Sequence, residues 1–163
     1  RPFAGGCILV LAFWFLPLSE YEGLGIPTIV DSFTNTSEWS TFLLKILFTT
    51  FTLGAGFKGG EVTPLFFIGA TLGSALSTIV PLPMALLAGM GFVAVFSGAT
   101  HTPIACTVMG LELFGIECGI FVGLACIIAY FASGSVGIYE SQIVKGPKFH
   151  LYKKLSKNEL KNL

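Results

Sequence analysis

Charge is what this sequence has least of. Only 11% of its 163 residues are Asp, Glu, Lys or Arg and 53% are hydrophobic, against about 25% charged in an ordinary soluble domain. Between Glu61 and Glu112 there is no fully charged residue at all, only His101. A soluble fold of this size could hardly keep so long a stretch out of water; a bilayer supplies the missing burial. The four cysteines, Cys7, Cys106, Cys118 and Cys126, all lie in apolar surroundings and no pair has C-x-x-C spacing. Buried free thiols are therefore expected, with no metal site. The sequence also lacks a Walker loop, a metal-ligand cluster and a nucleophile constellation. No enzyme activity, no cofactor and no nucleic-acid partner is expected. The chain opens on Arg1-Pro2 without an initiator methionine, and no small-residue cleavage site follows, so it reads as a piece of a longer protein rather than a signal peptide.

Long uninterrupted apolar runs are scarce too. The first, Phe3 to Leu18, ends around Pro17, and a wet loop carrying Glu20, Glu22, Asp31 and Glu38 continues to Trp39 with turn and helix-entry chemistry. The second, Phe42 to Phe57, carries Lys45 near its start, where a lysine stem can snorkel to the interface. Val62 to Val80, Met84 to Ala99 and Pro103 to Gly115 follow, divided by Pro81-Leu82-Pro83 and by Gly98 to Pro103. Two of these three fall short of the roughly 20 residues a straight span requires. Short, Gly/Pro-interrupted segments suggest half-helices that stop inside the membrane, as in transporters. A last run, Ile116 to Val136, has Glu117 near its start and leads to Gly137-Ile138-Tyr139. From Lys145 the tail holds six lysines and one acid, Glu159, which places the C-terminus on the cytoplasmic side.

The stretch Gly56-Phe-Lys-Gly-Gly-Glu-Val-Thr-Pro-Leu-Phe-Phe-Ile-Gly-Ala-Thr-Leu-Gly73 gathers a base, an acid and two adjacent glycines at the mouth of an apolar helix. With Thr63 as N-cap and Pro64 as the first helical residue, Gly59 and Gly60 would let the backbone turn sharply ahead of it. The amides of Glu61, Val62 and Thr63 would then converge in front of the helix axis, where the positive end of the dipole attracts an anion. The alternative is an ordinary capped span with a glycine-rich entrance. The half-helix pattern favours the anion site.

Gly59-Gly60-Glu61-Val62-Thr63-Pro64 resembles the G-x-F-x-P-type filter motif of the CLC family of anion channels and antiporters. The stretch from Phe96 to Glu112 looks like that family's small-residue loop, proline and glutamate-ended helix, and Tyr139 lies where the family places a tyrosine whose hydroxyl reaches the central anion. Val62 and Thr63 stand where chloride-conducting members usually carry an aromatic and a small apolar residue. Here the run is instead similar to the CLC-F branch of bacterial fluoride/proton antiporters. Fluoride is strongly hydrated, and a threonine hydroxyl adds a donor where a methyl cannot.

The resemblance implies an all-α polytopic membrane protein of the inner (plasma) membrane. Residues 1–144 would form the second, C-terminal repeat of an inverted-repeat transporter with broken half-helices, and 145–163 a basic cytoplasmic tail. It implies fluoride export by fluoride/proton antiport, with fluoride (or chloride) and protons as partners, the lipid bilayer around it and a homodimeric assembly. The anion-binding residues would be Gly60, Glu61, Val62, Thr63 and Tyr139, with Gly59 and Pro64 marking the start of the filter helix. The proton-coupling gate glutamate of the family belongs to a motif absent from this sequence. Rival readings are a chloride channel or chloride/proton antiporter of the same fold, and a non-transporting fragment or scaffold.

Several side chains keep two readings. Glu61, beside the anion, would pair with Lys58 or favour the helix start, or else carry a proton; Lys58 is either that partner or a steering charge. Glu112 is either functional or tied to backbone donors. His101 is a hydrogen-bonded loop residue or a relay, and Tyr139 an anion ligand or an interfacial anchor. Phe66 and Phe67 should pack the filter helix. The charge of the tail has a direct consequence: a protease added to right-side-out cells should leave residues 145–163 intact. Cleavage from outside would reverse the topology.

Overall fold

Proline and glycine punctuate the apolar runs, and helices form between them. The computed structural model describes residues 1–15 and 19–139. Its helices are α1 (Pro2–Phe15), α2 (Ile26–Asp31), α3 (Trp39–Gly54), α4 (Val62–Leu76), α5 (Met84–Thr100), α6 (Pro103–Phe114) and α7 (Gly119–Ala132), with single 3-10 turns at Ser19–Tyr21 and Ile116–Cys118. No strand occurs among the described residues, which agrees with the all-helical expectation. The basic tail and the expected end of the first run around Pro17 lie outside the described residues.

The centre of the structure is the antiparallel pair α4 and α5. On α4 the buried positions include Gly69, Ala70, Gly73 and Ala75, and on α5 Ala88, Gly89, Ser97 and Gly98. Small side chains let two backbones approach closely, which is how helices associate where burial from water supplies little driving force. A methyl group at Gly69 would overlap the Gly91 carbonyl, one at Gly91 the Gly69 carbonyl, and one at Gly73 the Leu87 carbonyl. Toward the start of α4, Phe66 stacks on Phe92 with ring centroids 4.1 Å apart and planes 2° from parallel, and also meets Phe96 at 4.8 Å.

Other helices build outward from that pair. α3 runs antiparallel to α4: Ser37 at its entrance donates its N–H to the Ser74 hydroxyl (3.0 Å), which in turn donates to the Asn35 carbonyl (3.0 Å). Phe67 of α4 packs with Ile29 and Ala70. α7 lies parallel to α5, tied by the buried Ser97 hydroxyl donating to the Cys126 carbonyl at 3.0 Å. α6 returns antiparallel between them, with Gly110 against Val122 and Val93. The start of α4, the end of α5, the start of α6 and the end of α7 therefore share one end of the bundle.

Several expectations are corrected here. The loop from Glu20 to Trp39 contains the short helix α2, entered through Gly25 at φ 66. A side chain on Gly25 would also meet the Phe67 ring at 2.6 Å. Gly98, Ala99 and Thr100 are the last turn of α5 rather than part of a divider; the reversal is made by His101 alone in a left-handed conformation, φ 59. Cys106 and Cys126 are buried, but Cys118 is only partly so and Cys7 is exposed, because α1 buries little beyond Gly5.

No helix among the described residues is long and apolar enough to cross a membrane. α5, with 17 residues, extends roughly 25 Å at about 1.5 Å per residue.

The α4–α5 contact can be tested directly. Gly91→Ala should destabilise the protein by about 1–3 kcal/mol, since backbone and not a flexible side chain must give way. Gly54→Ala, with nothing within 4 Å of the added methyl, should leave the melting temperature nearly unchanged. Equal melting of both variants would deny that backbone contact sets the helix spacing.

Candidate functional site

Helix α4 begins at Val62, with Glu61 in the N-cap position and no side-chain cap. This corrects the expectation of Thr63 as N-cap and Pro64 as first helical residue. Val62 and Thr63 already take helical geometry, and Pro64 is tolerated as the third residue because no amide in the first turn has an intrahelical acceptor. The first to find one is Leu65, whose N–H donates to the Glu61 carbonyl at 3.3 Å. Among the described residues the amides of Glu61, Val62 and Thr63 have no acceptor. The Thr63 hydroxyl is likewise uncommitted there, so it does not cap its own helix.

The approach to this turn differs from the expected one. The chain leaves α3 through Gly56 at φ 91, whereas neither Gly59 nor Gly60 takes a left-handed conformation. Residues 57–60 are exposed and irregular, with open space around Gly59 and Gly60. Lys58 is exposed and Glu61 half-buried, and no ion pair joins them. Glu61 is thus close to the free amides without the partner expected for it.

Tyr139 and His101 lie at the same end of the bundle. The Ile138 N–H donates to the Ala99 carbonyl at 2.9 Å, and Gly137 packs against His101 and Ala99. This holds the Gly137–Tyr139 segment to the end of α5. Tyr139 is 43% exposed, and its hydroxyl has no partner among the described residues. The structure therefore places Tyr139 at the same end of the bundle as the α4 turn, with no hydrogen bond joining the two among the described residues. His101 sits edge-on to Tyr130, with ring centroids 6.1 Å apart. Glu112 is exposed and, among the described residues, is not tied to backbone donors as one reading required. Phe67 is fully buried, as a packing residue should be.

Lys45 was missed. Rather than snorkelling outward it is 3% exposed, and its ammonium donates to the carbonyls of Tyr21 and Gly23, each at 3.1 Å. It lies 4.7 Å from the centre of the Phe67 ring. A cavity of about 330 Å³ is lined by residues that include Lys45, Thr49, Thr52, Gly59, Gly60 and Pro64. The signal available in the sequence was a lone lysine six residues into an apolar helix with no acid beside it. No group of His, Cys, Asp or Glu among the described residues is placed to hold a metal ion.

Comparison with known proteins gives this arrangement its relatives. The chain is 51% identical over 156 residues to a chloride/fluoride channel protein of Pseudomonas syringae pv. tomato, covering 92% of this chain and 34% of that protein. It is 36% identical over 97 residues to a voltage-gated ClC-type chloride channel of Salmonella typhimurium, covering 54% of this chain and 23% of the relative. Its fold matches the crystal structure of a CLC-type fluoride/proton antiporter with a TM-score of 0.79 and 42% identity, over 86% of this chain and 36% of that one. The chain thus spans about a third of the length of the first and last of these. The family model for voltage gated chloride channels matches residues 1–134, and the chain belongs to that family, the CLC family.

Proposed function

We propose that this chain is the C-terminal repeat of a CLC-type membrane transporter, residues 1–144, with a basic cytoplasmic tail from 145 to 163. The transporter exports fluoride in exchange for protons, and it works as a homodimer in the inner (plasma) membrane. The observation that carries the anion reading is the turn at Glu61, Val62 and Thr63, where three amides at the positive end of α4 have no acceptor among the described residues. Backbone donors fixed by a helix need no reorganisation to receive an ion. Membrane embedding is supported by large apolar side chains that face outward, such as Phe3 and Trp14 on α1 and Ile120 and Ile128 on α7.

Fluoride rather than chloride is supported by the relatives that carry fluoride in their descriptions and by the uncommitted Thr63 hydroxyl. Amides alone hold any halide. Discrimination needs an added donor or an altered wall, and Thr63 and Val62 offer these. A chloride transporter is the second reading, favoured by the Salmonella relative described as a chloride channel. Glu61 would repel a neighbouring anion by several kcal/mol at a low effective dielectric, so its carboxylate is directed away from the bound ion.

Thr63→Ala in the intact transporter should reduce fluoride-over-chloride discrimination about tenfold, roughly 1.4 kcal/mol, while Thr63→Ser retains much of it. Paired fluoride and chloride efflux from liposomes at matched gradients reads the ratio, which loss of folded protein does not change. Unaltered discrimination in the alanine variant would remove the hydroxyl from the selectivity mechanism.

Tyr139→Phe should weaken fluoride binding by roughly 1.5–3 kcal/mol, the worth of one hydrogen bond to a charged group, with expression and dimerisation unchanged. Equal binding would return Tyr139 to the role of interfacial anchor.

A further inference from the structure

The three free amides of α4 are not the sole source of positive potential at this end of the chain. Lys45 is a base buried to 3% exposure in a helix otherwise free of charge, and no carboxylate pairs with it among the described residues. Two backbone carbonyls, Tyr21 and Gly23, accept its hydrogen bonds at 3.1 Å, and the face of Phe67 lies 4.7 Å away. An ammonium has three donors, so two carbonyls and a ring hold its position without neutralising its charge. An ammonium kept so dry is costly unless compensated. A brace between α3 and the 21–23 turn could have been made with neutral groups.

The position of that charge suggests its use. Lys45 lines the cavity of about 330 Å³ that Gly59, Gly60 and Pro64 also line, and these three flank the free amides. A charge buried at 3% exposure is screened much less than charges exposed to water. Glu22 lines the same cavity but is exposed, and no ion pair joins it to Lys45, so water damps its opposing effect. Lys58, nearer in sequence, is also exposed and is screened in the same way. Phe67 links charge and helix mechanically: it belongs to α4, is fully buried, and has the ammonium over its ring.

We propose that Lys45 is a buried electrostatic residue that raises anion affinity at the α4 turn through the shared cavity, without touching the ion and without choosing between halides. This rests on the anion-binding reading of that turn. It differs from the role given to Thr63, which concerns the ratio of fluoride to chloride; Lys45 acts on both ions alike.

The test is titration calorimetry of fluoride and of chloride on the intact purified transporter in detergent, as wild type, Lys45→Met and Lys45→Gln. Methionine keeps length and removes charge and donors; glutamine removes the charge but keeps an N–H for the carbonyls. Both variants should weaken fluoride and chloride about tenfold each, with their ratio unchanged, while gel filtration shows an intact protein. Should the methionine variant fail to fold, the glutamine variant alone carries the measurement. Wild-type affinity in folded Lys45→Gln would overturn the proposal and leave Lys45 a brace between α3 and the 21–23 turn. A change confined to one halide would overturn it as well. Absence of halide binding in the wild type would instead overturn the anion reading of the α4 turn, and this inference with it.

Discussion

The backbone contact between α4 and α5 is the constraint from which the rest of the structure follows. Where Gly69 faces Gly91 and Gly73 faces the Leu87 carbonyl, no side chain fits, so the two helices have one available spacing. The register is locked by the parallel stack of Phe66 on Phe92. Once α5 is fixed, α6 and α7 are placed by its opposite face through Ser97, Gly98 and Val93. The result is that three helix ends and the start of α4 meet at one end of the bundle. A site assembled from helix ends needs this kind of rigidity, because dipoles and amides act only over the first turn.

Among the described residues, several buried hydroxyls are bonded to backbone groups. Ser74 both accepts from Ser37 and donates to Asn35; Thr71 donates to the Phe67 carbonyl at 2.8 Å; Thr100 donates to the Phe96 carbonyl at 2.8 Å and meets the Thr102 hydroxyl at 2.7 Å. An unsatisfied polar group costs several kcal/mol in a lipid-like medium, so hydroxyls turn back onto carbonyls. Against that background the free amides at the mouth of α4 stand out as donors the fold leaves for something else. The same argument separates Lys45 from Lys58. One is buried and held by two carbonyls and the other is exposed, so the first is the less screened.

Relatives described as a chloride/fluoride channel protein, a chloride channel and a fluoride/proton antiporter resemble this chain, and the proposed backbone site would account for that range. Under that proposal, amides ahead of a helix would hold an anion through geometry that many sequences can reach, while the side chains beside them would adjust which anion is preferred. Val62 and Thr63 are the first two residues of α4, one presenting a branched apolar wall and the other a hydroxyl. On the proposed reading, selectivity would change at two positions without moving a helix.

Much was legible in the sequence because local rules govern it. Sparse charge and short Gly/Pro-bounded runs gave helices α3 to α7 to within a few residues, and the Gly59-to-Pro64 motif located the turn with free amides. Proline at 64 signalled a helix start, but its place in the first turn was free by two residues, since any of the first-turn positions lacks an amide acceptor. Only the tertiary structure decided the rest. A lone Lys45 in an apolar helix reads as an interfacial residue until the 21–23 turn folds over it, because the carbonyls it binds are more than twenty positions away in the chain. Pairing of Lys58 with Glu61 looked natural from their spacing, yet the residues between are extended and irregular rather than helical, so proximity in sequence did not become contact. That Tyr139 and the α4 turn share one end of the bundle follows from the antiparallel and parallel packing of four helices, a long-range property that no local pattern encodes.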